Sequence, residues 1–543
     1  MSKYQASIFN DVLGPVMTGP SSSHTAGPGR IGRFIGMLAD DIKNITIEFP
    51  ETGSYAGTYR GQKSDVAFVA GILGFSITDP DFGKSLTIAK NRGVSVEILI
   101  GERQIAHPNT CFITIENSCK KICVESRSTG GGMFEIKSIN GAPVFCAGDC
   151  HEIIIMDKRG ENRLHGYASS VIERENLCFK DELNSSTNGI INFTDKSNSS
   201  ANGISNFKLK TAPPRELLDS LKKNADESGG EIRYIPPLLP VARRGEISVP
   251  FSTSGEMAEF IKADDMPFWK AAVLYEHIRG GWGEERVLEF AQNLIEVMRR
   301  SVLSGLRSDF DASGFLPPSA RSIRSAMETG RLIDTGVIGN AALYSTAVME
   351  YNNAMGIIVA CPTAGSCGVI PGVLFGIAGM DESDTLICAK ALLCAGLIGA
   401  FIANQATFAA EVCGCQAENG AASCMASAVA SFFLESDINK TLNAASMAMQ
   451  NMLGLICDLV AGQTNIPCIT RNAMAASNAI VSANLAAGGF DPVIPLDEVI
   501  AAMSEVGRML PRELRCTGLG GLCATPTGQA VTKRVYGDDT HAR

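Results

Sequence analysis

The chain has 543 residues, 45% hydrophobic and 19% charged, which is enough for two to four domains with large buried cores. A formal net charge of −10, scattered basic residues and 6% aromatics argue against nucleic acid or an anionic membrane as the main partner. The opening MSKYQASIFNDVLG lacks the apolar core of a signal peptide, so a cytoplasmic protein is expected, with most of its 17 cysteines as free, buried thiols.

In the first 150 residues, ITIEF, VSVEILI and CFITIEN are β-branched, alternating runs between glycine turns, and they predict an α+β domain. Within it, GPSSSHTAGPGR (Gly19–Arg30) crowds hydroxyls and a histidine between two Gly-Pro pairs. Two readings stand. The serines cap the following helix, or the loop holds a small carboxylate near a helix N-terminus. Gly27, Gly29 and Gly32 match G-x-G-x-x-G, but SSSHTA rather than a strand precedes them and no βαβ frame surrounds them, which argues against a dinucleotide site. The GKS at Gly83–Ser85 lacks the leading glycine of a phosphate loop, since residue 78 is Thr.

Residues 151–240 predict a βαββαβ-like unit in which a polar insert, Asn184 to Asn206, replaces one hairpin. The insert is rich in Asn and Ser and reads as a loop or a disordered segment; its three glycosylation sequons are expected to be accidental. From 250 to 543 the pattern turns to long apolar or amphipathic stretches, such as ERVLEFAQNLIEVMRRSVLSGL, which predict a largely all-α domain. The uncharged stretch Gly356 to Gly379 is long enough to span a bilayer, but six glycines and two prolines mark it as a buried, broken segment instead.

The cysteines of this part lack the tight C-x-x-C spacing of zinc sites. Cys457 and Cys468 flank a Gly- and Pro-containing loop, and Cys415 lies in CGCQAENGAAS. On spacing alone they are either buried structural thiols or ligands of a metal or iron–sulfur cluster.

Several segments together resemble one family. GPVMTGPSSSHTAGPGRIGR, HPNT (His107–Thr110) and STGGG (Ser128–Gly132) are similar to the β-type part of the iron–sulfur-dependent L-serine dehydratases. NNAMGIIVACPTAGSCGVIPG, GCQAE, NMLGLICDLVAGQTNIPCITRNAMAASNA and GLGGLCATPTG are similar to successive motifs of the α-type part. The chain therefore resembles a β–α fusion: a substrate-binding domain at 1–150, a unit at 151–240 where some relatives carry an ACT regulatory domain, and an iron–sulfur catalytic domain at 250–543.

The resemblance implies a [4Fe–4S] cluster on Cys415, Cys457 and Cys468, which stand 42 and 11 positions apart as in the family, with Cys413 outside the set. The fourth iron, left open, would act as a Lewis acid on the hydroxyl of serine, with no pyridoxal phosphate. Pyruvate and ammonia are the implied products. Ser21, Ser22, Ser23, His24 and Thr25 are implied to hold the amino acid, with His107, Asn109, Thr110 and Ser128 from the same domain and Thr363, Ala364 and Gly365 from the catalytic one. Lys63 and Asp65 are the implied catalytic pair. A homodimer acting on a small amino acid is expected. Three positions depart from the family: Gln62 replaces the histidine of G-H-x-T-D, Cys516 the glutamate of R-E-T-G, and Leu459 the proline of the cluster loop. These departures leave open another β-substituted amino acid as substrate, or an inactive amino-acid sensor.

Overall fold

The structure, a computed structural model, describes residues 5–157, 163–175, 177–178, 203–243, 248–307, 310, 315–381 and 383–537. Short strand β1 (Val16–Thr18) is followed by β2 (Asn44–Pro50), β3 (Ser95–Gly101), β4 (Thr110–Glu116), β5 (Lys121–Gly130), β6 (Met133–Ile139) and β7 (Ala142–Cys146). The last six form one sheet in the order β3-β2-β4-β5-β6-β7, parallel only between β2 and β3. The three runs predicted as strands are β2, β3 and β4. Their period-two pattern turns Ile45, Ile47, Phe49, Ile113 and Ile115 into the core beneath the helices.

The helices Gly27–Gly36 and Ser64–Ile72 cross at backbone contact over that core. A Cβ on Gly32 would lie 2.2 Å from the Phe68 carbonyl oxygen, and one on Gly71 would lie 2.1 Å from that of Gly29. The glycine spacing that mimics a nucleotide fingerprint thus includes glycines that serve helix–helix packing.

The next unit contains β8 (His151–Met156), β9 (Ile204–Leu209) and β10 (Glu231–Ile235) in the antiparallel order β10-β8-β9, with helices Arg163–Arg174 and Arg215–Ser228. Cys178 makes an isolated antiparallel bridge to Leu209 of β9. The expected polar insert is too long at its end. Ile204, Ser205 and Asn206 pair with β8, because ISNFKL has an apolar register to bury; residues 184–202 of the insert lie outside the described residues. Ile153 and Ile155 face this unit's own core, whereas Ile154 and Ile235 join the core of the first sheet.

Among the described residues the elements of the rest are helical apart from β11 (Ile357–Val359). At its centre lies Thr385–Gln405, capped by the Asp384 carboxylate, which accepts from the amides of Leu386 and Ile387. It is the one helix, among the described residues, long and apolar enough to cross a membrane, and 78% of its most apolar window is buried inside the protein. Gly356 to Gly379 is broken as expected, into β11, a short turn at Ala364–Ser366 and the helix Val369–Ala378.

The first residues do not stay with the first sheet. Ser7 Oγ donates to Glu276 Oε1 (2.7 Å), the Ile8 amide donates to Oε2 of the same carboxylate (2.7 Å), and the Ala6 amide donates to Asn404 Oδ1 (2.8 Å). Ile8, Phe9, Val12 and Leu13 are part of the helical core, and β1 pairs antiparallel with β11. The opening residues, expected with the first domain, thus belong to the core of the helical one, and the chain leaves that core before it begins the sheet.

Candidate active site

The hydroxyls of the opening loop are mostly engaged within the protein. Ser21 Oγ accepts from the His24 amide (3.0 Å) and so caps the turn Ser22–Ala26 that leads into the helix Gly27–Gly36. Ser22 Oγ accepts from the Ala364 amide (3.3 Å), and Thr25 Oγ1 donates to the Gln62 carbonyl (2.7 Å). His24 is fully buried with both ring nitrogens occupied. Nδ1 lies 2.9 Å from Ser23 Oγ and 3.0 Å from Glu411 Oε1, and Nε2 lies 3.1 Å from Ser54 Oγ. The capping reading accounts for Ser21. Ser22, Ser23 and His24 clamp the first domain to the helical one, while Thr25 is tied within the first domain.

The clamp presents a carboxylate. Burial alone would raise the Glu411 pKa, but hydrogen bonds and charge from His24, with Ser23, hold it down at about 2. Its Oε1 is the atom so engaged, while Oε2 is buried with no hydrogen bond. The two motifs HPNT and STGGG come up beside it. Glu411 is an electrostatic neighbour of His107, whose pKa is lowered by burial and by Arg127, and of Tyr55, whose pKa burial raises. The Tyr55 hydroxyl donates to the Ser23 carbonyl (3.3 Å) and Ser128 Oγ to the Met133 carbonyl (3.3 Å), and the turn after Ser128 packs on the backbone of Ala409: a Cβ on Gly130, where φ is +101°, would lie 3.1 Å from the Ala409 nitrogen. Asn109 is fully buried, and neither its side-chain nitrogen nor its oxygen has a partner. Thr110 Oγ1 donates back to the His107 carbonyl (2.9 Å).

From the helical side, Thr363 Oγ1 donates to Glu418 Oε1 (2.8 Å). Ala364 and Gly365 form the turn beneath it, fixed by Asn472, whose Nδ2 donates to the Gly365 carbonyl (2.8 Å) and whose Oδ1 accepts from the Gly368 amide (3.0 Å). Burial and the nearby Glu411 push the Glu418 carboxyl up to about 7.

Beside Glu418 stand the three thiols. Cys415 opens a short turn leading into the helix Asn419–Phe433, and Cys468 is the first residue of the helix Cys468–Ala487. Cys457 is held on the other side by a parallel bridge to Arg515. Burial and Glu418 push the Cys415 thiol up to about 11; a hydrogen bond with Cys516 and burial raise Cys457, and burial and Cys415 raise Cys468. Arg471 is the common cation. Burial opposes its charge, yet Cys415, Asp458, Cys468 and Cys457 together raise its pKa, and it ion-pairs with Asp458 at 3.0 Å.

Among the described residues no three His, Cys, Asp or Glu side chains close on a single metal ion. The donor set instead fits a multi-iron cluster. It consists of separate buried thiols, with the Asn419 Nδ2 donating to Cys415 Sγ at 3.0 Å, as cluster sulfurs are hydrogen-bonded. Cys413 is turned away, its Sγ donating to the Met503 carbonyl (3.3 Å).

Lys63 and Asp65 follow a turn that packs on the cysteine loop, where a Cβ on Gly61 would lie 2.5 Å from the Gly462 carbonyl oxygen. Asp65 Oδ1 accepts from the Val66 amide, and its neighbours are Lys63, Arg60 and Tyr536, whose hydroxyl bonds the Ala461 carbonyl on the outer side of the cysteine loop. Sequence reasoning did not single out Glu411, Ser54, Tyr55 or Arg471. Glu418 was present only as the last letter of GCQAE.

Comparison with known proteins places much of the chain in one family. Residues 169–523 match the family described as serine dehydratase alpha chain. The chain is 38% identical over 254 residues to the "Probable L-serine dehydratase, alpha chain" of Bacillus subtilis, covering 47% of this chain and 85% of that one. It is 37% identical over 263 residues to the "L-serine dehydratase, alpha chain" of Peptoniphilus asaccharolyticus, 48% of this chain and 90% of that one. With "L-serine dehydratase 2" of Escherichia coli it shares 31% over 288 residues, 51% of this chain and 62% of the other.

Proposed function

The chain belongs to the serine dehydratase alpha chain family, and on that premise we propose that it dehydrates and deaminates L-serine to pyruvate and ammonia, with a [4Fe–4S] cluster on Cys415, Cys457 and Cys468. The observation that carries this reading is the position of Glu418. It is a partly buried carboxyl and an electrostatic neighbour of all three thiols and of Glu411.

Serine must lose its Cα proton and its hydroxide. The cluster, when bound, supplies a Lewis acid for the departing hydroxyl. The protein supplies the rest. Glu411, kept ionised by His24 and Ser23, has its second oxygen available for the substrate ammonium. The unpartnered amide of Asn109 holds the carboxylate, since a buried amide left unbonded costs about 1–3 kcal/mol that a ligand recovers. Glu418, oriented by Thr363 Oγ1, takes the Cα proton. Lys63 and Asp65, behind the cysteine loop, are not assigned that step. The aminoacrylate product tautomerises and hydrolyses in water.

The test is release of ammonia and the matching 2-oxo acid by anaerobically reconstituted full-length protein, run on L-serine, L-threonine, L-cysteine and 3-hydroxyaspartate. L-Serine is expected to give the highest kcat/KM. No pyruvate from serine, with turnover of another member of the panel, transfers the chemistry to that substrate. No turnover of any of them ends the reading.

A further inference from the structure

Arg471 has no part in the reading above, yet it is built into both ends of the cysteine loop. It lies in the first turns of the helix Cys468–Ala487, which Cys468 opens. Its Nη1 donates to the Ile456 carbonyl (2.8 Å). Its Nη2 lies 3.0 Å from Asp458 Oδ1, an ionic contact, since that oxygen accepts no aligned hydrogen bond. From the helix of Cys468, the guanidinium thus grips the residues on either side of Cys457.

Asp458 is held from behind. Its Oδ2 accepts from the Leu522 amide (2.8 Å), and Gly521, at φ +68°, packs so closely that a Cβ there would lie 2.6 Å from the Asp458 Cβ. The Asp458 side chain is 2% exposed and that of Arg471 13%, so salt screens this pair little. The pair alone would be neutral, but Arg471 is also a charge neighbour of Cys415, Cys468 and Cys457. Three thiolates outnumber the positive charges of an oxidised [4Fe–4S] core, so the loaded site is anionic, and an added electron makes it more so. A fixed guanidinium, which stays protonated, offsets that charge without reorganising.

We propose that Arg471 is a positioning and charge-compensating residue of the cysteine site. It ties Cys457 to Cys468 across their loop and raises the reduction potential of the cluster they hold, with Asp458 as the counter-charge that limits the effect. The same charge keeps the irons electrophilic towards a hydroxyl. The inference rests on the cluster reading above.

The experiment uses the full chain, reconstituted anaerobically, as wild type and as Arg471→Met, Arg471→Lys and Asp458→Asn. It reads iron and sulfide per chain and the midpoint potential of the cluster by redox titration followed by electron paramagnetic resonance, with thermal unfolding as the check on folding. The wild type is expected to hold about four irons. In Arg471→Met the equilibrium constant for one-electron reduction should fall on the order of tenfold, a midpoint about 59 mV more negative. Arg471→Lys, which keeps the charge without the fork, should recover most of that shift. Asp458→Asn should move the midpoint the other way, because it leaves the guanidinium less compensated. A purely structural tie would be loosened by either change alike. Equal midpoints in wild type and iron-loaded Arg471→Met, or shifts of the same sign in Arg471→Met and Asp458→Asn, therefore overturn the proposal while leaving the cluster reading intact. If folded Arg471→Met takes up no iron, Asp458→Asn decides alone: a more positive midpoint supports the proposal, and an unchanged or more negative one overturns it. A wild type that takes up no iron overturns the cluster reading and this inference with it.

Discussion

Glu411 shows how a single side chain can be tuned by partners that no local pattern announces. Ser23 and His24 stand 388 and 387 positions before it, and the sequence around it, FAAEVCGC, has the look of an ordinary apolar turn. The consequence for stability has a definite sign. In the folded chain the carboxyl ionises at about 2 and in the unfolded chain near its ordinary 4.5, so unfolding takes up a proton between those values. The Glu411 contribution is therefore complete above pH 4.5 and is lost as pH falls towards 2. Glu411→Gln should show a flatter fall in urea midpoint than wild type from pH 4.5 downwards, and at neutral pH a raised KM for serine. Parallel profiles for the two proteins would mean that His24 does not hold this carboxylate ionised. The density of hydroxyls in GPSSSHTAGPGR pointed to a special segment. It did not reveal that His24 has no free ring nitrogen, since Ser54 and Glu411 reach it only in the folded protein.

Strands and helices were easier to read, because each carries its own period. β2, β3 and β4 alternate, and the long helices of the second half show apolar faces or continuous apolar runs. The error at 204–206 arose because the polar composition of the insert hid the first three residues of β9, whose apolar register becomes evident only beside β8. A glycine-lined crossing makes a different demand from a pattern. The pair Gly27–Gly36 and Ser64–Ile72 touches through backbone, so a methyl group at Gly71, aimed at the Gly29 carbonyl, must force the helices apart. Gly71→Ala is expected to lower stability by about 1–3 kcal/mol or more, although alanine is the better helix former. Chemical denaturation measures it. An unchanged or raised midpoint would show that the crossing relaxes at no cost.

The whole molecule is organised around a segment that leaves its own neighbours. Ile8, Val12 and Leu13 lie on the helix Thr385–Gln405 where it carries Gly396 and Gly399; a Cβ at Gly399 would lie 2.2 Å from Val12 Cγ1, and one at Gly396 would lie 2.6 Å from Ile8 Cγ2. Gly399→Val should expel this segment, lowering the unfolding temperature and opening the first twenty residues to protease before the rest. A variant as resistant as wild type would show that the helix shifts to accommodate the larger side chain. Nothing in the composition of QASIFNDVLG assigns it to a distant helix; its apolar residues fit either core, and only the complementary slot decides.

That slot also sets an order of events during synthesis. Ala6 ends against Asn404, 398 residues further along the chain. At the roughly 5–20 residues per second of ribosomal elongation, the amino-terminal segment waits on the order of 20–80 s for its partner to be made. During that interval the first sheet can close on its own core, but Ile8, Phe9, Val12 and Leu13 remain uncovered. The nascent chain thus carries a sticky leader that is buried only after the catalytic helices have emerged, and a chaperone able to hold short apolar segments would have its longest opportunity there.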